Sequence, residues 1–451
     1  MPTAESKPNP ARAVSAGHLL RVLGVAFGLA VTVGNTISTG ILRAPGEVAQ
    51  LLPEKWLFLT IWLLGGLCAL CAAPSFAELG TMLPRSGGHY VFARYALGEY
   101  AGFVIGWSDW LGNCGSTAAA AILIGEYSAL LLPQFRGHAT AIALTVVATF
   151  AILQLLGTRT GSALQQLSSL LKALAFLAIV AACYLYSGRA AANLENAPAL
   201  LMPHGIAFIT AFVLALQAVI FTYDGWFGII YFSGETKNPD IDVPRSMFSG
   251  TLSIMAIYLL VNAAIVHVLP MSQLAGKPLA LATVAQLFWG ARGDAVVEAL
   301  TIISMMGAIN AYQLQQCRIL FSMSVDGLFS KYATHVNRGG TPDVAHLLST
   351  AAVVAFVLSG TFEQVLAVLA FSFATNYVVG LASMLILRRR EPEHRRPYRA
   401  WGYPWTTIIA LIAYSTFLLA TFFTDTRNTL HAMVLLAASY PLFRGLKLIA
   451  R

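Results

Sequence analysis

Six small or polar residues interrupt the first long apolar segment, Val31–Ile41. They are Gly34, Asn35, Thr36, Ser38, Thr39 and Gly40. Glycine is flexible, and serine, threonine and asparagine side chains compete for backbone hydrogen bonds, so this combination favours a helix break. A second helical piece that begins near Gly40 would aim unpaired N–H groups and a positive dipole end into a cavity. The stretch predicts either a binding site at mid-membrane depth or a packing face of small residues, and alone it favours neither.

A second interruption occurs in another apolar segment, where the sequence reads Phe-Thr-Tyr-Asp-Gly-Trp over 221–226. An aspartate beside a glycine is expensive in the middle of an apolar helix, unless it faces a cavity. The Asp224 carboxylate could meet a cationic group of a ligand, or it could cap the broken helix locally. The sequence leaves these two interpretations open.

Lys172 is interpreted as the one cation deep inside an apolar segment. A buried ammonium group needs acceptors, and carbonyl groups released by the first helix break could supply them. In that position it would replace a sodium ion of the kind that unwound carbonyl groups coordinate, or it could carry a proton. The alternative is a lysine whose side chain extends to a membrane interface, which the apolar flanks make less favourable.

The composition places these residues in a membrane protein. The 451 residues are 57% apolar and 11% charged, and the mean hydropathy is +0.69, whereas soluble domains carry roughly 25% charged residues. No cleavable signal peptide is expected, because residues 1–18 are polar and the apolar run after them is too long. The five cysteines all lie in apolar segments, so no extracellular disulfide framework is expected and a disulfide-linked ancillary chain is disfavoured.

Twelve segments approach the roughly 20 apolar residues that a membrane span needs. They lie near 20–43, 56–81, 100–132, 139–157, 164–187, 206–232, 247–269, 295–323, 344–360, 362–387, 404–424 and 429–448. A shorter apolar piece, Leu279–Trp289, is predicted to be interfacial or re-entrant. Of the 28 lysines and arginines, most fall on the side of the N-terminus, which predicts a multi-pass plasma-membrane protein with both termini in the cytoplasm. This placement explains the net charge of +8 without nucleic acid.

The two interrupted segments are the first and the sixth, five spans apart. An odd period inverts the second repeat relative to the first, as in secondary transporters whose ligand lies between two discontinuous helices. The predicted fold is therefore an all-α membrane protein of twelve helices, with a five-plus-five inverted repeat. Its parts are a tail at 1–18, repeats at 19–187 and 206–387, a cytoplasmic basic loop at 388–403, and two further spans with a short tail at 404–451.

Five motifs follow one another along the chain. They are GNTISTGI at 34–41, LPRSGGHYVF at 83–92, FTYDGW at 221–226, SGETKNP at 233–239 and RPYRAWGYP at 396–404. In this order they resemble the amino acid–polyamine–organocation superfamily, and within it the L-type amino acid transporter branch. The resemblance covers roughly residues 19 to 403. It implies the five-plus-five broken-helix fold and transport of amino acids without sodium.

The resemblance also implies a site made largely of backbone groups. The N–H groups of Ser38, Thr39 and Gly40 would hold a substrate carboxylate, and carbonyl groups of Thr36, Phe221 and Asp224 would receive the α-amino group. The Phe221 ring would close over the substrate, and Lys172 matches the family's sodium-replacing lysine. The full predicted substrate-binding set is Thr36, Ile37, Ser38, Thr39, Gly40, Phe221, Tyr223, Asp224, Trp226 and Asn310.

Two positions depart from the family pattern. Ser38 stands where glycine is usual, so its side chain either narrows the carboxylate pocket or adds a hydroxyl group. Arg43 stands where an apolar residue is usual, and it is interpreted as an interfacial anchor or a screen for substrates. Asp109 and Glu126 are expected to be structural or rim residues. Asn310 and Asn376 can join helices through hydrogen bonds, which is the commoner role for asparagine in such segments.

Three functions remain in view. The first is a sodium-independent amino acid transporter that works by alternating access, as an exchanger or a proton-coupled importer. The second is a transporter of polyamines or similar cations, suggested by Asp224. The third is a channel or a non-transporting nutrient sensor on the same fold. An enzyme is not expected, because the chain shows no P-loop, metal cluster or nucleophile elbow, and no cofactor is predicted.

Overall fold

The computed structural model describes residues 19–38, 40–185, 201–359, 362–424 and 426–449. Within these ranges the regular secondary structure is helical, apart from one isolated bridge between Leu23 and Thr236. The helices are α1 (Val25–Thr36), α2 (Gly40–Leu51), α3 (Lys55–Met82), α4 (His89–Leu97), α5 (Glu99–Leu131), α6 (Ala139–Leu155), α7 (Thr158–Leu185), α8 (Ile206–Thr222), α9 (Pro239–Val268), α10 (Met271–Leu274), α11 (Ala280–Trp289), α12 (Gly293–Val325), α13 (Asp343–Ser359), α14 (Phe362–Arg390), α15 (Trp405–Thr424) and α16 (Thr426–Ile449).

Seven of these helices are long and apolar enough to cross a membrane, and the bent pair α1 and α2 makes an eighth if it is one span. The seven are α3, α5, α7, α9, α12, α14 and α15. Each of the twelve predicted segments overlaps at least one helix, and α11 is the short helix that was expected at Leu279–Trp289. An all-helical membrane protein is thereby confirmed, while the count of twelve spans and the inverted repeat stay predictions.

The helix α9 begins at Pro239, eight residues before the predicted span. Proline is well suited to the first position of a helix, because it lacks the N–H that would be unpaired there. Asp240 and Asp242 occupy the first turn, where negative charge stabilises the helix dipole. The hydropathy pattern missed this turn because its polar residues lie outside the apolar run.

Both predicted helix breaks are present, and they touch. The helix α1 ends at Thr36, Ile37 is extended, and α2 begins at Gly40 at an angle of 48°. The helix α8 ends at Thr222 and is followed, after a turn, by a 3₁₀ segment from Gly228 to Glu235. The Asn35 side chain donates a hydrogen bond to the Gly225 carbonyl at 3.3 Å.

Gly225 is required at this crossing for two reasons. Its φ of +102° lies in the left-handed region, which side chains rarely adopt. A Cβ atom there would also lie 3.1 Å from the backbone carbonyl carbon of Asn35. The glycine therefore allows the backbones of the two helix breaks to approach each other.

The basic loop is held to the helix bundle by one buried carboxylate. Glu78 of α3 is fully buried. It accepts hydrogen bonds from Arg388 at 2.6 Å and from the Ala400 N–H at 2.7 Å, and it forms an ion pair with Arg396 at 2.9 Å. Since a buried carboxylate is stable only when its charge is compensated, these contacts hold the loop against α3.

Candidate substrate site

A cavity of about 60 Å³ lies where the two breaks meet. The lining residues come from both breaks and from three helices that cross them. They are Ser38, Gly40, Phe221 and Asp224 at the breaks, Ser116, Ala119, Ala120 and Leu123 on α5, Met305, Ala308 and Tyr312 on α12, and Phe373 on α14. The structure thus brings four of the predicted substrate-binding residues to one small space.

The start of α2 supplies the hydrogen-bond donors of the cavity. Because α2 begins at Gly40, the N–H groups of its first turn have no carbonyl partners within the helix. The positive end of the helix dipole lies at the same place. Thr39 lies outside the described residues. Ser38 and Gly40 both line the cavity, so this end of the helix is suited to an anionic group such as a carboxylate.

Lys172 compensates the carbonyl end of the first break. Its ammonium group donates hydrogen bonds to the carbonyl oxygens of Gly34 at 2.9 Å and Ile37 at 2.6 Å, and the side chain is fully buried. Two further residues of the same face of α7, Gln165 and Ser169, bind the Ala30 carbonyl. The predicted contact between Lys172 and the first break is confirmed, and the broken helix is fastened to α7.

One tyrosine of α9 contacts both helix breaks through its hydroxyl group. The Tyr258 hydroxyl of α9 lies 2.8 Å from the Thr36 carbonyl oxygen and 3.1 Å from that of Thr222. Tyr258 is fully buried. A hydroxyl group has one proton, so it donates to one of these two carbonyls at a time. The predicted carbonyl acceptors are therefore partly engaged, since the Phe221 carbonyl also receives the Asp224 N–H at 3.2 Å.

Asp224 is the residue for which the sequence left two roles open, a contact with a cationic group of a ligand or a local cap of the broken helix. Its carboxylate accepts a hydrogen bond from the Tyr377 hydroxyl of α14 at 2.5 Å. It also lines the cavity. The carboxylate is therefore held in place by α14 and presents negative charge to whatever enters. It cannot cap the end of α8, because the unpaired groups at the C-terminal end of a helix are carbonyl acceptors.

Five described residues of the predicted set do not line this cavity, and three of them are hydrogen-bonded to neighbouring helices. The Tyr223 hydroxyl donates to the Trp62 carbonyl at 3.2 Å, and the Trp226 indole donates to the Tyr414 hydroxyl at 3.3 Å. Asn310 accepts a hydrogen bond from Gln154 and donates to Gln165 and to the Gly161 carbonyl. Burial requires these polar groups to be paired, and the neighbouring helices pair them. For Asn310, the helix-joining alternative fits this arrangement.

Thr36 and Ile37 are the other two residues that do not line the cavity, and both are buried. Asp109 was expected to be a structural or rim residue, and it lies in the interior, where it accepts a hydrogen bond from the Tyr231 hydroxyl at 2.9 Å. Glu126 and Arg43 are exposed. The burial of Asp109 excludes the interpretation of this residue as a rim residue.

Arg318 corrects the interpretation of Lys172 as the one buried cation. Arg318 lies near the end of the predicted span 295–323, where a basic residue is ordinarily cytoplasmic, whereas the structure places it in α12 with no exposed surface. Its guanidinium group binds both carboxylate oxygens of Glu235, at 2.7 and 2.8 Å. The charge is tolerated because the pair is bidentate, and the partner lies 83 residues away in sequence.

The walls contributed by α5, α12 and α14 were not predicted from the sequence. Ser116, Ala119, Ala120 and Ala308 are ordinary packing residues by sequence, and no motif marks Met305, Tyr312 or Phe373. One weak signal was available, namely the run of small residues Gly115–Ala121 on α5. Small side chains leave free volume only where the facing helix does not fill it, which the sequence does not reveal.

Comparison with known proteins shows similarity to a family of membrane transporters. The family model described as amino acid permease matches residues 19–440. The serine/threonine exchanger SteT of Bacillus subtilis (strain 168) is 28% identical over 436 residues, covering 95% of this chain and 97% of that protein. Asc-type amino acid transporter 1 of Mus musculus is 25% identical over 84% of this chain and 73% of its own length. The polyamine transporter PUT1 of Oryza sativa subsp. japonica is 27% identical over 74% of this chain and 63% of its own length. The resemblance stated from the motifs is confirmed: because the family model spans nearly all of the chain, this protein belongs to the amino acid permease family.

Proposed function

We propose that this permease transports small neutral amino acids without sodium, by alternating access and as an exchanger. The observation that carries the proposal is the meeting of two helix breaks at one cavity, with the Lys172 ammonium already occupying the carbonyl end of the first break. A site whose released carbonyls hold a built-in cation has no need of a sodium ion there. Twelve spans in a five-plus-five inverted repeat, with both termini in the cytoplasm, belong to the same proposal.

The charges around the cavity match a zwitterion. The substrate carboxylate would lie at the start of α2, near Ser38 and Gly40, where unpaired N–H groups and the helix dipole favour an anion. The ammonium group would lie towards Asp224 and the end of α8. Each uncompensated charge in this interior would cost several kcal/mol, on the order that isolated buried ions cost. The cavity therefore favours a ligand that carries both charges.

The lining favours a small side chain. Ala119, Ala120 and Ala308 border the cavity while Phe221 and Phe373 limit it. The hydroxyl groups of Ser38, Ser116 and Tyr312 offer hydrogen bonds. We therefore expect serine, threonine and alanine among the substrates, which agrees with the serine and threonine named for SteT.

Counterflow in proteoliposomes tests the proposal. Purified protein would be reconstituted in vesicles loaded with unlabelled L-serine, and uptake of labelled L-serine would be followed with sodium outside or with choline in its place. We expect saturable uptake that needs internal amino acid and is equal in both salts. Protein-free vesicles and empty vesicles are the controls. Uptake into empty vesicles that needs an inward pH gradient would indicate proton coupling instead. Non-saturable flux, or binding without flux, would overturn transport by alternating access in favour of a channel or a sensor.

Polyamine transport is the second candidate, because the Asp224 carboxylate lines the cavity and the chain is similar to PUT1. The Asp224 carboxylate already accepts a hydrogen bond from Tyr377, and the start of α2 repels cations. Both facts favour the zwitterion. Inhibition of serine counterflow by putrescine, with no inhibition by alanine or threonine, would reverse this preference.

Replacing Ser38 with glycine should weaken serine transport and favour larger amino acids. Ser38 lines the cavity, and a lost hydroxyl contact costs about 0.5–1.5 kcal/mol, or roughly twofold to tenfold in KM. We expect the KM for serine to rise by that factor while the KM for leucine falls. Ser330→Gly, in a loop away from the cavity, is the matched control. Parallel changes for serine and leucine would contradict a role in substrate size.

Replacing Tyr258 with phenylalanine should raise the KM for serine about tenfold. The variant removes the hydroxyl that joins the Thr36 and Thr222 carbonyls, and a buried carbonyl left without a partner costs about 1–3 kcal/mol. The two breaks would then hold their relative position less firmly. Serine counterflow at several concentrations measures the change, and Tyr332→Phe at an exposed site is the control. An unchanged KM would show that Tyr258 does not position the site.

A further inference from the structure

A second and larger cavity, of about 430 Å³, lies away from the substrate site. Its walls come from the residues before α1, the first three turns of α7, and one residue shortly after the 3₁₀ segment. They are Arg21, Val22 and Leu23, Arg159, Ser162, Ala163 and Gln166, and Lys237. Three chain segments that are distant in sequence thus each contribute one cation to the same space.

These three cations have no counter-charge among the described residues. No acidic side chain lines the cavity, and none of the ion pairs in the described part of the chain includes Arg21, Arg159 or Lys237. The acids nearest to Lys237 in sequence are engaged elsewhere: Glu235 with Arg318 at 2.7 Å, Asp240 with Arg395 at 3.2 Å, and Asp242 with the Asn238 N–H at 2.9 Å. Cations gathered without acids repel one another, so the cavity favours an anion.

The remaining polar side chains can donate to an oxyanion. The Ser162 hydroxyl oxygen accepts a hydrogen bond from the Gln166 amide at 3.1 Å. The hydroxyl proton and the second amide proton of Gln166 stay available for donation. Two arginines, a lysine, a hydroxyl and an amide form a donor set suited to the several oxygens of a phosphate group.

The surface beside the cavity is suited to acyl chains. The helix α7 is long and apolar enough to cross the membrane, and it continues from Gln166 into a row of exposed leucines. Leu167, Leu170, Leu171 and Leu174 are 56%, 57%, 49% and 53% exposed. A phosphate group seated among the cations would leave its acyl chains along this row, whereas free phosphate would gain nothing from it.

We propose that this cavity binds the head group of an anionic phospholipid. Basic cavities of this kind between membrane helices are suited to acidic lipid head groups. The bound lipid would join the segment before α1 to α7, the helix that carries Lys172, and to the residues before α9. The proposal does not depend on which substrate the permease carries.

Native mass spectrometry of the full-length protein tests this site directly. Wild type and the triple variant R21Q/R159Q/K237Q would be purified in detergent and titrated with phosphatidylglycerol or phosphatidylcholine. At about 1 kcal/mol for each basic residue near a membrane surface, losing three cations should weaken the tightest phosphatidylglycerol binding about a hundredfold. Phosphatidylcholine should bind both proteins equally weakly. The matched control, Lys331→Gln with Arg389→Gln and Arg399→Gln, removes the same charge at other exposed positions and should bind phosphatidylglycerol like the wild type.

Three results would overturn the proposal. The first is equal phosphatidylglycerol binding by wild type and the cavity variant. The second is an equal loss in the control variant, which would show a general charge effect. The third is displacement of phosphatidylglycerol by millimolar inorganic phosphate, which would assign the cavity to a soluble anion. If the triple variant elutes as an aggregate, the single variants R21Q, R159Q and K237Q replace it, and each should lower the affinity about fivefold.

Discussion

Replacing Lys172 with methionine should reduce serine counterflow at least about a hundredfold. The ammonium group donates to two carbonyls of the first break, at 2.9 and 2.6 Å, inside a fully buried site. A hydrogen bond to a charged group contributes about 1.5–3 kcal/mol, so losing two costs at least a factor of a hundred. Methionine keeps the length and apolar character of the side chain and removes only the charge and the donors.

The measurement is the initial rate of counterflow in proteoliposomes with equal amounts of reconstituted protein. Lys331→Met, at an exposed position, is the matched control and should transport like the wild type. Size-exclusion chromatography separates loss of function from loss of folding. Wild-type rates in a monodisperse Lys172→Met preparation would show that the built-in cation is dispensable.

Replacing Arg318 with methionine should destabilise the folded protein by about 3–5 kcal/mol, because the variant leaves the Glu235 carboxylate buried and unpaired. Neither side chain of this pair has exposed surface. The pair joins α12 to the 3₁₀ segment after the second break, and Glu235 also accepts a hydrogen bond from the Ser86 hydroxyl at 3.2 Å. The Phe232 ring lies 4.8 Å from the Arg318 guanidinium carbon. Thermal unfolding in detergent, followed by tryptophan fluorescence, measures the change.

The double variant R318M/E235L should be more stable than R318M alone, because both charges are then absent and apolar side chains fill much of the space. Arg395→Met is the control, since the Arg395–Asp240 pair is largely exposed and such pairs contribute about 0–1 kcal/mol. Strictly additive losses in the double variant would mean that charge compensation is not what makes the pair stabilising.

The two helix breaks and the acceptors of Lys172 could be predicted from the sequence. The breaks at 34–40 and 221–226 were predictable because glycine and short polar side chains in an apolar span conflict with a continuous helix. The acceptors for Lys172 followed from a simple requirement, because a buried ammonium group needs oxygen atoms and the nearest break releases them. In both cases the signal was local, and it was strong because lipid tolerates few exceptions.

The burial of Arg318 could not be found in this way. A basic residue near the end of an apolar segment is ordinarily cytoplasmic, and only its partner Glu235 makes burial possible. Tyr258 is a similar case, because it lies in an apolar span with no motif. Its hydroxyl group is important only because it contacts the carbonyl groups of Thr36 and Thr222, which are 222 and 36 residues away from it in sequence.

The sequence by itself determined that the protein lies in the membrane, that two helices are broken, and that a cation is placed to meet the first break. These features follow from the cost of unpaired polar groups in lipid, which acts on each segment separately. Only the tertiary structure decided the size of the cavity, its walls on α5, α12 and α14, and the gathering of three cations at a second cavity. Those depend on how helices that are distant in sequence pack together, and packing is set by the whole surface of each helix and not by any motif.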